Sequence, residues 1–413
     1  MKAREAAYLA LLASMRHEDF IAHSLEKWMK NQNPSKLDFA FSYEIASGSA
    51  RMALALDHIG AGLSTNKKLS LKVKERALVR TAIYQYCFMD KVPLYAIVNE
   101  TIEIAKKYCH RTFVAYLNAL LRKLEDSPNA LPSGSLPNEL SIRYSYPLHF
   151  VEALISDYGL ESAEELLKKG NMPPKTMVRV RPGVDLSLEA FKFLQLQTGI
   201  GISMAILDKA ASLSALVELP EIYIQNATPV ALVAALAERT EYPSTILDLC
   251  ASPGGKLLAA HDLYPKAKLF ANDVSPEKIM RLSQNLNKYG VMADLNCGPG
   301  ESYETKEHFD IIILDVPCSN SGVLNKRPEA RWRLTEEAIG NLEMIQLRLI
   351  EHAATLLAPG GVIWYLTCSI LKSENEALLN HVRNFGLAVE YTNTVLPNEE
   401  GWDGGFSALL KRM

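Results

Sequence analysis

The sequence lacks any apolar stretch long enough to cross a lipid bilayer. Its first segment, MKAREAAYLALLASMRHEDF, also lacks the uninterrupted apolar core of a secretory signal, because Arg4 and Glu5 lie inside an amphipathic repeat. These two absences argue against a secreted protein and against a protein of the membrane. We therefore expect a cytoplasmic location and no membrane partner.

Closely spaced cysteine pairs are also missing. None of the six cysteines forms a CxxC pair, and they are spread over the whole chain as Cys87, Cys109, Cys250, Cys297, Cys318 and Cys368. This spacing argues against a zinc site and against a disulfide framework, so we predict reduced thiols and no bound metal. Because free cysteine is among the most buried residue types, a place in the core is the default for each of them.

The sequence has no surplus of positive charge, since 44 lysines and arginines stand against 47 acidic residues. This charge balance argues against a protein that binds nucleic acid through a wide basic surface. Two local basic clusters remain, at residues 66–80 and 326–333. The first is equally well explained as a solvated face. For the second, which surrounds Trp332, we predict contacts to phosphate through Lys326, Arg327, Arg331 and Arg333.

With 413 residues, the chain is too long for one typical core, and its pattern changes along its length. Residues 1–126 carry apolar side chains at three- and four-residue spacing, which predicts an all-helical domain. Residues 127–140 are rich in proline and predict a linker, and 141–235 predict a small mixed middle element. From residue 236 to 413 strands and helices alternate, which predicts a doubly wound, mostly parallel sheet. The last helix of this pattern is predicted for SENEALLNHVRNF.

Ligands of such sheets bind at the carboxyl ends of the strands, and two motifs fall there. In DLCASPGGK (residues 248–256) a strand ends and two glycines turn the chain into a helix, whose free N–H groups can bind a polar ligand. Asp273 ends the next strand and suits the hydroxyls of a ribose. Together they indicate a cofactor that contains a nucleoside. A dinucleotide is disfavoured because GxGxxG is absent, and a plain helix entry remains the alternative.

Two cysteines also follow apolar strands, Cys318 in IIILDVPC and Cys368 in VIWYLTC. A thiolate can add to C6 of cytosine, after which C5 can attack a methyl sulfonium. This chemistry needs one thiolate, a group that binds the N3/N4 edge of the ring, and a methyl donor. Asp315 would serve for the ring edge, and a second thiol would help to eject the product. The alternative is that both cysteines are inert core residues.

The motifs resemble those of the RNA cytosine-C5 methyltransferases of the Nop2/Sun type over nearly the whole chain. DLCASPGGK resembles the cofactor motif of that family, NDVSPEK its ribose-binding strand end, DVPCSNSG its proline-cysteine loop and TCS its second cysteine motif. The C-terminal DGGFSALLKR matches as well. The segments VPLYAIVNETIEIAKKY and FVAYLNALLRKL resemble the NusB-like RNA-binding domain of such enzymes.

The resemblance implies a NusB-like domain at 1–126 and a Rossmann-like methyltransferase domain at 236–413, with S-adenosyl-L-methionine as cofactor. It is strongest to bacterial members, which implies 16S ribosomal RNA as the substrate, and we expect a monomer. Cys368, after threonine, would be the nucleophile, and Cys318, after proline, would assist product release. The residues implied to hold the cofactor are Cys250, Ala251, Ser252, Pro253, Gly254, Gly255, Lys256, Asp273 and Asp315.

Three positions depart from the family pattern. Pro299 stands where the family has an aspartate that faces the adenine, and we consider Asp294 as the replacement. Asn226 stands where an aspartate follows the glutamine, and Ser252 replaces an alanine. If the adenine loses its carboxylate partner, we expect cofactor binding to weaken by about 1–3 kcal/mol.

Two other functions stay open on the sequence alone. An amino-group nucleic-acid methyltransferase needs no thiol and usually has a proline-proline-aromatic loop, where this chain has Val316, Pro317 and Cys318. A catalytically impaired, NusB-like RNA-binding or antitermination factor is the other reading, and Pro299 gives it some support. The intact Asp273, together with both cysteines, argues against it.

Overall fold

The computed structural model describes two compact units. It covers residues 1–125, 131–184, 194–197 (backbone only), 202–207 and 218–413. One unit comprises Met1–Asn171 with Leu324–Leu334, and the other comprises Met172–Val323 with Thr335–Met413. The predicted order, an all-helical part followed by a mixed α/β part, is confirmed. Residues 126–130 of the predicted linker and several stretches of the predicted middle element lie outside the described residues.

The first unit is built from helices throughout its described part. They are α1 (Ala3–Met15), α2 (Ile21–Gln32), α3 (Lys36–Arg51), α4 (Ala53–Leu63), α5 (Val73–Phe88), α6 (Leu94–Tyr108), α7 (Arg111–Arg122), α8 (Pro137–Tyr144), α9 (Leu148–Tyr158) and α10 (Leu160–Lys169). Their apolar stripes meet in one core, in which Leu11, Ile45 and Leu78 are fully buried. The apolar residues that recur at three- and four-residue spacing in the sequence therefore form the helix faces that pack together in the core.

The helical unit extends further along the chain than the sequence predicted. Helix α8 begins at Pro137, inside the stretch predicted to be a linker, and α8 to α10 pack as part of this unit. Proline is tolerated in the first turn of a helix, where its missing N–H would have no partner. The Glu139 carboxylate accepts a hydrogen bond from the N–H of Leu136 at 3.1 Å and caps the helix start.

The second unit begins with a small antiparallel sheet. Its strands are β1 (Met177–Val180), β2 (Leu194–Gln197), β3 (Ser203–Leu207) and β4 (Ile222–Ile224), in the order β2-β3-β1-β4. Helix α11 (Ala227–Ala237) follows. The predicted middle element thus divides between the two units, its helices in the first and its strands in the second.

A larger sheet forms the rest of the second unit. Its strands are β5 (Thr245–Asp248), β6 (Lys268–Asp273), β7 (Asp294–Cys297), β8 (Phe309–Asp315), β9 (Leu357–Thr367), β10 (Leu387–Val395) and β11 (Gly405–Arg412). Among the described residues their order is β10-β11-β9-β8-β5-β6-β7. Strands β5 to β9 pair in parallel, whereas β11 runs antiparallel to both of its neighbours, β9 and the edge strand β10.

Helices cover both faces of this sheet. They are α12 (Gly255–Leu263), α13 (Pro276–Lys288) and α14 (Glu336–Leu356). Along β8, Ile311 and Ile313 pack on the side of α12, while Ile312 and Leu314 pack on the side of α14. A strand with apolar residues on both faces is expected in a doubly wound sheet. The strand order reverses between β5 and β8, which is the point where such sheets bind ligands.

The C-terminal part departs from the helix predicted for SENEALLNHVRNF. It holds two short 3-10 helices, Lys372–Glu374 and Leu378–Phe385. The side chain of Asn375 accepts a hydrogen bond from the Thr367 hydroxyl at 2.7 Å, so the start of the segment is tied to the end of β9. In the described part of the chain, no helix combines the length and the apolar character that a membrane span requires.

Candidate active site

Acidic side chains end three neighbouring strands at the carboxyl edge of the larger sheet. Asp248 ends β5, Asp273 ends β6 and Asp315 ends β8. Parallel pairing aligns these ends, because Asp248 pairs with Ala271 of β6 and with Ile313 of β8. Cys368 follows the end of β9, which pairs with β8 through Asp315 and Leu366. The predicted cofactor and thiol motifs therefore meet at one edge.

The glycine turn between β5 and α12 depends on the absence of side chains. Gly254 has φ +105°, a left-handed conformation that side chains rarely adopt. A Cβ there would come within 2.9 Å of Leu282, and one at Gly255 within 2.9 Å of the Gln225 amide. The carbonyl of Pro253 accepts a hydrogen bond from Asn285 at 2.7 Å, which holds the turn against α13. Helix α12 consequently starts at this edge with its first N–H groups available.

Asp273 lies beside that turn and is almost fully buried. Its carboxylate accepts hydrogen bonds from the N–H groups of Ser252 at 3.0 Å and Val274 at 2.7 Å, and it pairs with Lys278 at 3.0 Å. The N–H of Ala251 in the turn donates to the carbonyl of Asn272 in β6 at 2.9 Å. The turn and the strand-end carboxylate are thus fixed relative to each other.

Asp248, the last residue of β5, directly precedes the turn and is 1% exposed. One carboxylate oxygen accepts the N–H of Cys250 at 3.2 Å, whereas the other has no hydrogen-bond partner in the described structure. Burial and then the nearby Asp315 raise the pKa of Asp248 well above its usual range. Burial likewise raises the pKa of the Cys250 thiol, so Cys250 does not supply a thiolate at neutral pH.

These residues fit S-adenosylmethionine, a nucleoside with a positively charged sulfonium. Asp315 and Asp273 are each paired with a lysine at this edge, Lys256 and Lys278, so the site carries no surplus of positive charge that would repel the sulfonium. The turn offers N–H groups to a carboxylate, and Asp273 ends the second strand at the position that suits ribose hydroxyls.

The adenine side of the site does not contain the replacement that the sequence suggested. Pro299 precedes the 3-10 turn Gly300–Ser302 after β7. Asp294 begins β7, pairs with Phe270 of β6, and forms an ion pair with Lys268 at 3.2 Å. It therefore lies at the amino end of the strand, away from the edge that carries Asp273, and the proposed substitution for the family aspartate was wrong.

Lys256 joins the cofactor turn to the loop after β8. Its ammonium lies 2.5 Å from the carboxylate of Asp315, and the two side chains are 15% and 28% exposed. Burial lowers the pKa of Lys256, but the charge of Asp315, its hydrogen bond and the nearby Cys368 outweigh burial and raise it overall. The lysine stays charged and places a cation beside Asp315 and near Cys368.

The two thiols meet in this structure. The sulfurs of Cys318 and Cys368 lie 2.9 Å apart, and both cysteines are free. The N–H of Cys368 donates to the Cys318 sulfur at 3.3 Å, and the Cys368 thiol donates to the Asn320 side chain at 3.1 Å. Asn320 has φ +60°, which turns the loop so that its amide reaches this thiol.

The environments of the two sulfurs differ. Cys318 is 6% exposed, whereas Cys368 is half-buried. The hydrogen bond to Cys368 and then burial raise the pKa of Cys318 well above its usual range. Cys318 is therefore the sulfur that keeps its proton, and Cys368 is the one that a substrate base can approach.

Sequence reasoning missed several residues that hold these thiols in place. They are Asn320, Gln346, Ser369, Glu374 and Asn375, which form hydrogen bonds within and beside the two cysteine loops. The only signal in the sequence was an acid, Glu374, close behind the second cysteine motif.

The four basic residues predicted to contact phosphate are not equivalent. In the helical unit, Arg327 is exposed, Lys326 and Arg333 are half-buried, and the Arg333 guanidinium lies 4.4 Å from the centre of the Phe20 ring. Arg331 is fully buried. Its guanidinium donates to the carbonyls of Arg51 at 3.0 Å and Ser145 at 2.9 Å and to the Asn171 side chain at 3.0 Å. The phosphate contact predicted for Arg331 is contradicted by this burial.

Replacing Arg331 with methionine should destabilise the helical unit by about 2–4 kcal/mol, since the buried Ser145 carbonyl and two half-buried acceptors lose their donor. Hydrogen exchange of the full chain should report it as faster exchange in α3 and in residues 324–334. Arg327→Met, an exposed change in the same segment, is the matched control and should leave exchange unaltered. Equal protection in the two variants would contradict the structural role of Arg331.

The sheet order and the cofactor turn define the second unit as an S-adenosylmethionine-dependent methyltransferase, and two family models match the chain. One, described as 16S rRNA methyltransferase RsmB/F, matches residues 234–411, and the other, the NusB family, matches residues 1–126. Ribosomal RNA small subunit methyltransferase B of Shewanella oneidensis is 30% identical over 321 residues, covering 74% of this chain and 73% of that protein. The chain therefore belongs to the RsmB/F family of methyltransferases, and the resemblance inferred from its motifs is confirmed.

Two further comparisons agree. The probable ribosomal RNA small subunit methyltransferase B of Bacillus subtilis is 26% identical over 401 residues, covering 92% of this chain and 88% of that protein. The crystal structure of PH0851 superposes with a TM-score of 0.77 at 22% identity, covering 99% of both chains, which shows that the fold is shared. The predicted cofactor, S-adenosyl-L-methionine, is that of this family.

Proposed function

We propose that this protein methylates C5 of a cytosine in 16S ribosomal RNA through a covalent bond between Cys368 and C6 of the base. The observation that carries the proposal is the pair of free thiols, 2.9 Å apart, at the edge that also holds the cofactor turn. Methylation of an amino group would need no thiol at this place. The names of the curated relatives support ribosomal RNA as the substrate.

Cys368 acts as the nucleophile. Its sulfur is the more exposed of the two, and the charged Lys256 lies close enough to interact with it. Bond formation between this sulfur and C6 moves electron density to C5, which then takes the methyl group. S-adenosylmethionine, which the turn at residues 250–256 and Asp273 would hold, would supply that methyl group as an electrophile, with S-adenosylhomocysteine as the leaving group.

Asp315 and Lys256 orient the target base. Asp315 ends β8 just before the cysteine loop and accepts a hydrogen bond from Lys256 at 2.5 Å. A carboxylate held in this way can receive the exocyclic amino group of cytosine, and the ammonium beside it can donate to an acceptor on the ring edge. The pair thus selects a pyrimidine that presents both a donor and an acceptor.

Cys318 completes the reaction. Before attack it keeps its proton, because its hydrogen bond to Cys368 and its burial both oppose ionisation and hold its pKa high. When Cys368 becomes bonded to carbon, the first of these causes is removed and Cys318 ionises more easily. After its own proton has passed to solvent, the Cys318 thiolate takes the proton from C5. The C5–C6 double bond then re-forms, and the bond to the Cys368 sulfur breaks.

The test is methylation of a 16S RNA transcript by the purified chain with labelled S-adenosylmethionine, followed by digestion to nucleosides. We expect 5-methylcytidine, located at one position by bisulfite sequencing. Recovery of N4-methylcytidine would replace the proposal with amino-group chemistry. Absence of any methylated nucleoside, with RNA binding retained, would favour an impaired RNA-binding factor.

We further propose that Arg327, Lys326 and Arg333 contact the RNA backbone. Arg327 is the exposed member of this group. Arg327→Ala should weaken RNA binding and reduce the slope of log affinity against log salt by about 1, because one phosphate contact is lost. Filter binding between low and moderate salt measures this slope. An unchanged slope would remove Arg327 from the interface.

A further inference from the structure

One buried carboxylate joins the two cysteine loops. Glu374 is 0% exposed and lies in the 3-10 turn after the second cysteine motif. One of its oxygens accepts the N–H of Ser319 at 2.8 Å and the side-chain amide of Gln346 at 3.1 Å. The other accepts the hydroxyl of Ser369 at 2.6 Å. Both carboxylate oxygens therefore have hydrogen-bond donors.

The partners of Glu374 are the immediate neighbours of the two thiols. Ser319 follows Cys318 in the loop after β8, and Ser369 follows Cys368 in the loop after β9. The two serine hydroxyls also lie 3.2 Å apart, and Ser321 adds a contact to Ser369 at 2.9 Å. A carboxylate with two well-oriented oxygens thereby ties one loop to the other.

Gln346 fixes this carboxylate from the side of α14. Its amide also donates to the carbonyl of Pro317 at 3.0 Å, and its oxygen accepts the hydroxyl of Tyr365 at 3.2 Å. The Tyr365 hydroxyl donates as well to the Glu374 carbonyl at 2.8 Å. The arrangement spans α14, β9 and both loops, and each of these side chains is fully buried.

Burial of a carboxylate in a core is costly, and an apolar side chain of similar size would fill the same space without that cost. What an apolar side chain lacks is the ability to gather donors from two separate loops. The advantage of a carboxylate at position 374 is therefore that it orients the two loops. It sets the distance between the loops and hence the distance between the two sulfurs.

We propose that Glu374 is a positioning residue that holds the Cys318 and Cys368 loops in register, so that both sulfurs reach the same base. The proposal deepens the function proposed above and rests on it. Because Glu374 is fully buried, it touches neither RNA nor cofactor. Its loss should lower kcat about 10–100-fold, as expected for charge-assisted hydrogen bonds, and leave KM for RNA unchanged.

A dithiol probe measures the register of the sulfurs without any catalysis. Phenylarsine oxide condenses with two neighbouring thiols to form two As–S bonds and releases one water. In the wild-type chain we expect tight binding of one equivalent, with two of the six thiols lost to titration after denaturation. Cys318→Ser and Cys368→Ser should each abolish this tight binding.

The series Glu374→Gln and Glu374→Ala then tests the proposal. In Glu374→Gln the side-chain oxygen still accepts the Ser319 N–H, but an NH2 group faces the Ser369 hydroxyl, so we expect the arsenical to bind about 3–10-fold more weakly. In Glu374→Ala both acceptors are lost, and we expect binding at least about 10-fold weaker. Glu376→Ala is the matched control, because Glu376 lies in the same segment but binds Thr394 at 3.0 Å. The control should retain wild-type affinity.

If the Glu374→Ala variant folds and binds the arsenical with wild-type affinity, the proposal is overturned. If the alanine variant does not fold, wild-type affinity in Glu374→Gln overturns it instead. Thermal unfolding and S-adenosylmethionine binding establish that each variant is folded. The outcome is separable from the proposed function. If the series weakens arsenical binding as expected but the wild type makes no 5-methylcytidine, the positioning role stands and the reaction is wrong.

Discussion

We expect Cys368→Ala to lose methyl transfer, with a fall in rate of at least about 1,000-fold, because under the proposed mechanism no other side chain can replace the covalent nucleophile. The variant also forms no covalent complex with RNA. The physical reason is the position of this sulfur, which is half-buried at the cofactor edge and lies near the charged Lys256. Single-turnover assays with labelled S-adenosylmethionine measure the loss, and denaturing gels measure the missing complex.

The matched control is Cys109→Ala, a half-buried cysteine of the helical unit, which should retain wild-type activity. Binding of S-adenosylmethionine to Cys368→Ala should remain within about twofold, since the cofactor turn does not include this residue. If Cys368→Ala methylates cytosine at the wild-type rate, the covalent route fails. In that case the closeness of the two thiols would be only a feature of packing.

The parts of the site that are contiguous in sequence were predictable. The glycine turn at residues 248–256 was recognisable in the sequence because two glycines follow an apolar strand, and Gly254 adopts φ +105° in the structure. Asp273 was recognisable because it ends an apolar strand. The same holds for Cys318 and Cys368, each at the end of a buried strand. Strand alternation then brings all of these to one edge, because parallel strands share their carboxyl ends.

The parts that depend on distant contacts were not predictable. Arg331 lies in a basic segment that is typical of an RNA contact, yet its three acceptors are Arg51, Ser145 and Asn171, far away in the sequence. Asp294 seemed close enough to replace an acid at Pro299, but the register of β7 places it at the other end of the strand. Such outcomes are decided by pairing and burial, which local patterns do not contain.

Glu374 illustrates the same limit. A charged residue in SENEALLNHVRNF predicts the solvated face of a helix. The segment instead forms 3-10 turns, and the carboxylate points inward to donors from two loops and from α14. The need for a buried acceptor arises only when both cysteine loops are present, so no local rule identifies it.

Cys318→Ala, in contrast to Cys368→Ala, should permit attack on the base but block release of the product if Cys318 has the proposed role. The structure places the Cys318 sulfur 2.9 Å from the nucleophile, where it can take the C5 proton after methylation. Without it, the bond between Cys368 and C6 persists. We expect a protein–RNA complex that survives denaturation, with product release slowed by at least about 100-fold, the usual range of a lost general base.

The double variant Cys318→Ala/Cys368→Ala decides whether the trapped bond involves Cys368, and it should give no complex on a denaturing gel. Digestion of the complex formed by Cys318→Ala should yield a peptide that carries a methylated cytosine on Cys368. A stable complex in Cys368→Ala instead would exchange the two roles. That exchange is disfavoured here, since Cys318 is the more deeply buried sulfur and the one whose pKa its neighbour and burial raise.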